Sequence, residues 1–143
     1  MPADGQADSR GDAPPAAVVR AAFEALAAGD LARLLELVDP ALEWTYLDPD
    51  DPDPQPQVCR GRDELRRRLG EQGASITVEE IVPCGQRAVV VTRVPGLDAR
   101  RARATGDRNF HVVTVHAGRV AALRACRSRF EAVAIATSEP VTP

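Results

Sequence analysis

TGDRNFHVVTVHAGRVAALRACRSRFEAVAI, residues 105–135, decides how this chain folds. Within it, NFHVVTVH (109–116) and RVAALRAC (119–126) are apolar runs of strand length with β-branched enrichment. Only Ala117 and Gly118 separate them, so the pair predicts a hairpin. A type I′ turn would put Ala117 at positive φ, which makes Ala-Gly a weaker signal than Asn-Gly. A longer loop is the alternative. A two-residue loop sets His116 opposite Arg119, Val115 opposite Val120, Val113 opposite Ala122, His111 opposite Arg124 and Asn109 opposite Cys126.

Alternation sorts these side chains onto two faces. One carries Asn109, His111, Val113, Val115, Val120, Ala122, Arg124, Cys126 and Ser128; the other carries Phe110, Val112, Thr114, His116, Ala121, Leu123 and Ala125. The first face is apolar near the turn and polar at its far end. That gradient suits a cavity with a hydrophobic floor and a polar mouth. A cation beside His111 disfavours protonation, so pairing with Arg124 predicts a neutral imidazole able to accept a proton or orient a ligand. The competing reading of His111 is a histidine hydrogen-bonded within the sheet. His116, beside the turn, reads as a surface residue.

Composition narrows the field. A chain of 143 residues suits one domain with a real core. All 18 basic side chains are arginine, which excludes Schiff-base, pyridoxal-phosphate and Walker-lysine chemistry. A net charge of −3 gives no mandate for nucleic acid or a membrane surface. No apolar run approaches a membrane span, and the N-terminus lacks the apolar segment of a signal peptide. Cys59, Cys84 and Cys126 are widely spaced and odd in number, as reduced thiols of a cytoplasmic protein would be. With two histidines and no ligand-like spacing, no metal site is expected, and no cofactor.

Along the chain, residues 1–13 read as a disordered leader, 14–136 as a single domain and 137–143 as a flexible tail. Pro14-Pro15 opens a helix with Val19, Phe23 and Leu26 on one stripe. Gly29 ends it and Asp30 caps the next, which Asp39-Pro40 stops. Leu42, Trp44 and Tyr46 alternate with Glu43 and Thr45 in a half-buried strand, and Trp44 and Tyr46 suit a pocket wall. DPDDPDPQPQ, 48–57, is an acidic, proline-stiffened loop that cannot be a helix or central strand and reads as a lid or rim. A third helix spans 61–69, its arginines facing solvent. Strands follow over 75–82 and 86–94, then a polar, arginine-rich connection read as a flexible hairpin tip, the 109–126 hairpin and a short last helix. Early helices and late antiparallel strands make an α+β fold, a strongly curved sheet wrapped over the helices as a cone with a pocket inside.

Ala28-Gly29-Asp30-Leu31, Asp39-Pro40 before Trp44, Arg60-Gly61-Arg62-Asp63-Glu64-Leu65, HAGRVAALR and CRSRFEAVA, in that order, resemble the SnoaL-like branch of the nuclear-transport-factor-2-like (NTF2-like) superfamily. The resemblance covers about Val18 to Ala136. It implies the cone with a central pocket, and a homodimer through the outer sheet face. It leaves function open, since the superfamily hosts cyclases, isomerases, hydrolases, dehydratases and binding proteins. Many relatives carry Tyr and Asp where this chain has Cys126 and Ser128, and the last strand offers no carboxylate for cyclase-type chemistry.

Three functions are therefore in view. The first is a protein that binds a small hydrophobic molecule without committed chemistry, its ligand set being Trp44, Tyr46, Asn109, His111, Val113, Arg124 and Cys126. The second is a cofactor-independent enzyme on a polyketide- or steroid-like substrate, with His111 as base or orienting donor, Tyr46 as hydroxyl donor and Arg124 as electrostatic stabiliser. The third is a dimeric interaction module using the outer sheet face. Serine-hydrolase and thiol-protease readings find no motif.

Overall fold

A computed structural model of the protein describes residues 13–47, 55–70, 75–101 and 105–138. The leader up to residue 12, most of the acidic loop (48–54) and the tail beyond 138 lie outside the described residues. Helix α1 (Pro15–Ala27) and α2 (Leu31–Glu36) lead into β1 (Val38–Tyr46) and β2 (Gln57–Arg60). Then come α3 (Gly61–Gly70), β3 (Thr77–Cys84), β4 (Arg87–Arg93), α4 (Leu97–Arg101), β5 (Arg108–His116), β6 (Arg119–Cys126) and α5 (Arg129–Ser138).

Local chemistry explains the helical half. Pro15 occupies the first turn of α1, where its missing N–H costs nothing. Val18, Val19, Ala22, Phe23 and Ala25 are buried along its length; a fully buried valine or phenylalanine contributes about 1.5–3 kcal/mol. Gly29 turns the chain at φ 73°, and the Asp30 carboxylate accepts the Arg33 N–H at 3.1 Å to cap α2. Arg62 of α3 donates twice to the Val38 carbonyl, at 3.0 and 2.7 Å. It does so where β1 breaks register between Val38 and Glu43, so the guanidinium satisfies a carbonyl at the interruption.

The six strands form one sheet in the order β2-β1-β6-β5-β4-β3. Every pairing is antiparallel except β1 with β6, which is parallel. The expectation of a wholly antiparallel sheet is corrected there. No tight turn joins β1 to β6, so nothing local fixes their relative direction. β2 was not expected as a strand; it starts at Gln57, just past the last proline of the loop, and sits at the sheet edge where short strands are tolerated. The connection read as a flexible tip contains α4, and the Asp98 carboxylate accepts the backbone N–H groups of Thr105, Gly106 and Asp107 at 2.8, 2.7 and 3.0 Å. With the Thr105 hydroxyl, these hold Asp98 down to about 2.

The hairpin turn is the two-residue one. Ala117 and Gly118 have φ 53° and 76°, both in the left-handed region, as a type I′ turn requires. His116 pairs with Arg119 and Val115 with Val120, as expected. Then the register shifts: Thr114 pairs with Ala122, leaving Ala121 as the extra residue of a β-bulge. From there on, Val113 faces Leu123, Val112 faces Arg124, His111 faces Ala125 and Phe110 faces Cys126. The predicted pairs His111–Arg124, Val113–Ala122 and Asn109–Cys126 are therefore wrong by one residue. A single inserted residue flips every later side chain of β6 to the other face.

Two apolar clusters result. The larger lies between the inner sheet face and α1, α2 and α3, and includes Val19, Phe23, Leu42, Val90 and Val113. The smaller lies on the outer face, where Ala132 and Ala136 of α5 cover Val89, Val112 and Cys126, with Phe110 beside them. Ser128 accepts the Glu131 N–H at 3.0 Å to start α5, and Arg129 pairs with Glu80 of β3 through two contacts of 2.9 and 2.8 Å. The apolar outer face is thus covered by the chain's own last helix. No helix among the described residues is long and apolar enough to cross a membrane.

Candidate functional site

The curved inner face and the three N-terminal helices do not close completely. Between them lies a cavity of about 220 Å³. Phe23 and Leu26 of α1, Leu42 of β1, Leu65 and Leu69 of α3, and Leu123 of β6 make its apolar walls. Among the described residues, no aspartate or glutamate lines it, and Arg68 is its one arginine.

The sequence-predicted ligand set divides. Trp44, Tyr46, Asn109 and His111 line the cavity. Cys126 borders it at the end of β6, but the bulge pairs it with Phe110 and turns its side chain to the outer face, among Val112, Ala132 and Ala136. Val113 keeps its inward direction but is wholly buried in the core, packed among neighbours such as Ala88 and Val90 rather than on the cavity wall. Arg124 is exposed, and the bulge places it on the outer face opposite Val112. It can neither tune His111 nor stabilise charge in the cavity.

His111 is neutral, though the predicted cause is corrected. Burial alone pushes its pKa down to about 4, because an imidazolium loses its hydration in an apolar wall. Its ring lies 6.3 Å from that of Phe23, tilted by 46°. Its Nδ1 is buried and has no hydrogen-bond partner. The same holds for the indole Nε1 of Trp44 and the hydroxyl of Thr92. All three residues line the cavity. Thr92 pairs across the ladder with Asn109, and Val90 with His111, so Thr92, Asn109 and His111 form one polar patch on β4 and β5. Trp44, on β1, is separated from that patch by β6.

Tyr46 belongs to the rim. Its ring packs on Trp44 at 5.3 Å between centroids, and its hydroxyl donates to Gln57 Oε1 at 3.4 Å in an exposed contact. The guanidinium of Arg68 lies over the Tyr46 ring, 4.0 Å from its centroid. Cys126 is an inert thiol: burial, and then Glu131, push it up to about 11. Among the described residues, no group of His, Cys, Asp and Glu could hold a metal ion.

Thr92 and Arg68 were missed by sequence reasoning. Both left a signal. Alternation through the β4 run puts Ala88, Val90 and Thr92 on one face, and the sequence Leu65, Arg68, Leu69 follows i, i+3, i+4 spacing on the apolar stripe of α3.

Comparison with known proteins agrees with this architecture. An NTF2-like protein from Burkholderia thailandensis aligns at 25% identity over 90% of this chain and 99% of its own, with TM-score 0.59. A candidate polyketide cyclase from Sinorhizobium meliloti aligns at 21% identity over 80% and 96%, with TM-score 0.58. A candidate ketosteroid isomerase from Kribbella flavida aligns at 19% identity over 78% and 75%, with TM-score 0.57. These likenesses establish a shared α+β cone. No curated protein matches. The profile of the SnoaL-like domain matches residues 19–123, which hold every wall of the cavity except its last two positions on β6, and the chain belongs to the SnoaL-like family within the NTF2-like superfamily.

Proposed function

We propose that the protein binds a small, largely hydrophobic molecule in this cavity, with oxygen atoms that meet Trp44, Thr92 and His111. The observation that carries this reading is that three buried polar atoms without a partner belong to residues lining one apolar cavity. A buried polar group without a partner costs about 1–3 kcal/mol. A ligand oxygen accepting from the Trp44 N–H, and another engaging Thr92 and His111, would recover that cost, while the apolar walls take up the ligand's body. Ketosteroids and polyketides, the compound classes in the names of two structural relatives, are hydrophobic and carry carbonyl oxygens.

Trp44 is the only tryptophan of the chain, so its emission reports the cavity directly. Titration with ring compounds bearing a carbonyl should shift or quench that emission saturably. Matched hydrocarbons lacking the oxygen should bind at least about tenfold more weakly, the equivalent of one hydrogen bond. Equal affinity for both would remove the role given to the three polar atoms.

A second reading is cofactor-independent acid–base catalysis. The neutral, unpartnered His111 favours it. Two observations set it behind binding. A base that protonates only near pH 4 abstracts protons poorly, and the Tyr46 hydroxyl is turned to Gln57 at the exposed rim. Full turnover of a candidate substrate by His111→Ala would eliminate this mechanism.

A further inference from the structure

Arg68 adds a demand that the three buried atoms do not make. It lines the cavity from α3, and it is half-buried. Two other arginines of that helix are engaged, Arg62 with the Val38 carbonyl and Arg66 with Asp63 at 3.5 Å, and Arg67 is exposed and does not line the cavity. Arg68 has no carboxylate partner among the described residues; its guanidinium lies over the face of Tyr46, 4.0 Å from the ring centroid. A guanidinium stacked on an aromatic face keeps its in-plane N–H donors available, and that planar fork matches a carboxylate. Tyr46 therefore holds the cation at the rim, and no hydrogen bond joins its donors to another described residue. Among the described residues, no acidic side chain lines the cavity to repel an incoming negative charge.

We infer that the cavity selects an amphipathic carboxylate, its ring body between the apolar walls and its acid group on Arg68. The inference rests on the binding reading above and narrows its ligand class. A single guanidinium supplies one unit of charge, which suits a monoanionic carboxylate better than a dianionic phosphate. The neutral oxygen contacts at Trp44, Thr92 and His111 lie along the walls, so acid and carbonyl or hydroxyl groups would be read at separate places.

The test is calorimetric titration of the full chain with cinnamate and naphthoate, each beside its own carboxamide. Each acid should bind about tenfold or more tightly than its amide, the difference between a charge-assisted and a neutral hydrogen bond. Added salt should weaken only the acids. Arg68→Gln should bring acid and amide to equal affinity, and Arg68→Lys should keep part of the preference. Acid and amide binding equally, with no change in Arg68→Gln, would overturn the carboxylate assignment and leave the cavity as a neutral-ligand site. If none of the four compounds binds, the binding reading falls and this inference with it.

Discussion

His111 pays for its place in an apolar wall with its basicity. The folded chain keeps the imidazole neutral down to about pH 4, whereas an unfolded chain protonates it near pH 6.5. Above that value the two states bind equal protons here and His111 adds no pH dependence. As pH falls from about 6.5 towards 4, the unfolded state takes up a proton that the folded state refuses, so stability drops, by at most about 1.4 kcal/mol per pH unit. Urea denaturation at a series of pH values should show this slope, and His111→Phe should remove it. An unchanged slope in the variant would place the titration elsewhere. Thr92 makes the opposite kind of prediction. Its hydroxyl is buried without a partner in a residue with 0% exposure, so Thr92→Val should leave the free protein as stable or up to about 1 kcal/mol more stable. The same variant should weaken binding of an oxygen-bearing ligand. A large loss of stability would mean that the hydroxyl has a partner in the free protein.

The hairpin shows where the sequence was legible and where it was not. Its two strands and two-residue turn follow from apolar runs flanking Ala117-Gly118, and the first two pairs beyond the turn are as expected. The bulge at Ala121 left no mark: in RVAALRAC, small and apolar residues occupy both faces around it, so either register buries comparable surface. That ambiguity is why Arg124 was assigned to the cavity and Leu123 was not. Inward residues of β5 precede any bulge on β6, so Asn109 and His111 were placed on the cavity side in spite of it. The parallel β1–β6 pairing was equally hidden, since it depends on contacts distant in sequence. The turn itself remains improvable. Ala117 holds a left-handed conformation at φ 53°, which costs an L-residue with a Cβ about 1–2 kcal/mol. Ala117→Asn should raise thermal stability by about 1 kcal/mol, measured by calorimetry; a loss would show that the type I′ geometry does not persist in solution.

At the scale of the whole molecule, one sheet serves two purposes. Its inner face builds the cavity with α1, α2 and α3, and its outer face is sealed by α5 through Ala132, Ala136 and the Arg129–Glu80 pair. Ala132 is fully buried in that seam. Ala132→Glu should cost about 3 kcal/mol or more and expose Phe110 and Val112, so the variant should self-associate in light scattering. A variant as stable and as dispersed as the parent would show that α5 does not cover the face in solution. The cone and the existence of a cavity were legible from helix spacing and strand order, because they follow from long, periodic elements. The cavity's chemistry was legible only in part, because a hydrogen-bonding group left without a partner is a property of the folded chain. The most direct test of the central claim is therefore the indole N–H resonance of Trp44 in a ¹H–¹⁵N correlation spectrum, a single cross-peak from the only tryptophan. On adding a hydrophobic ring carboxylate that carries a carbonyl, that peak should move downfield saturably as its N–H gains an acceptor. A Trp44 peak that stays in place while resonances of Phe110 or Ile135 on the outer face move would contradict the account and put the binding site on the other side of the sheet.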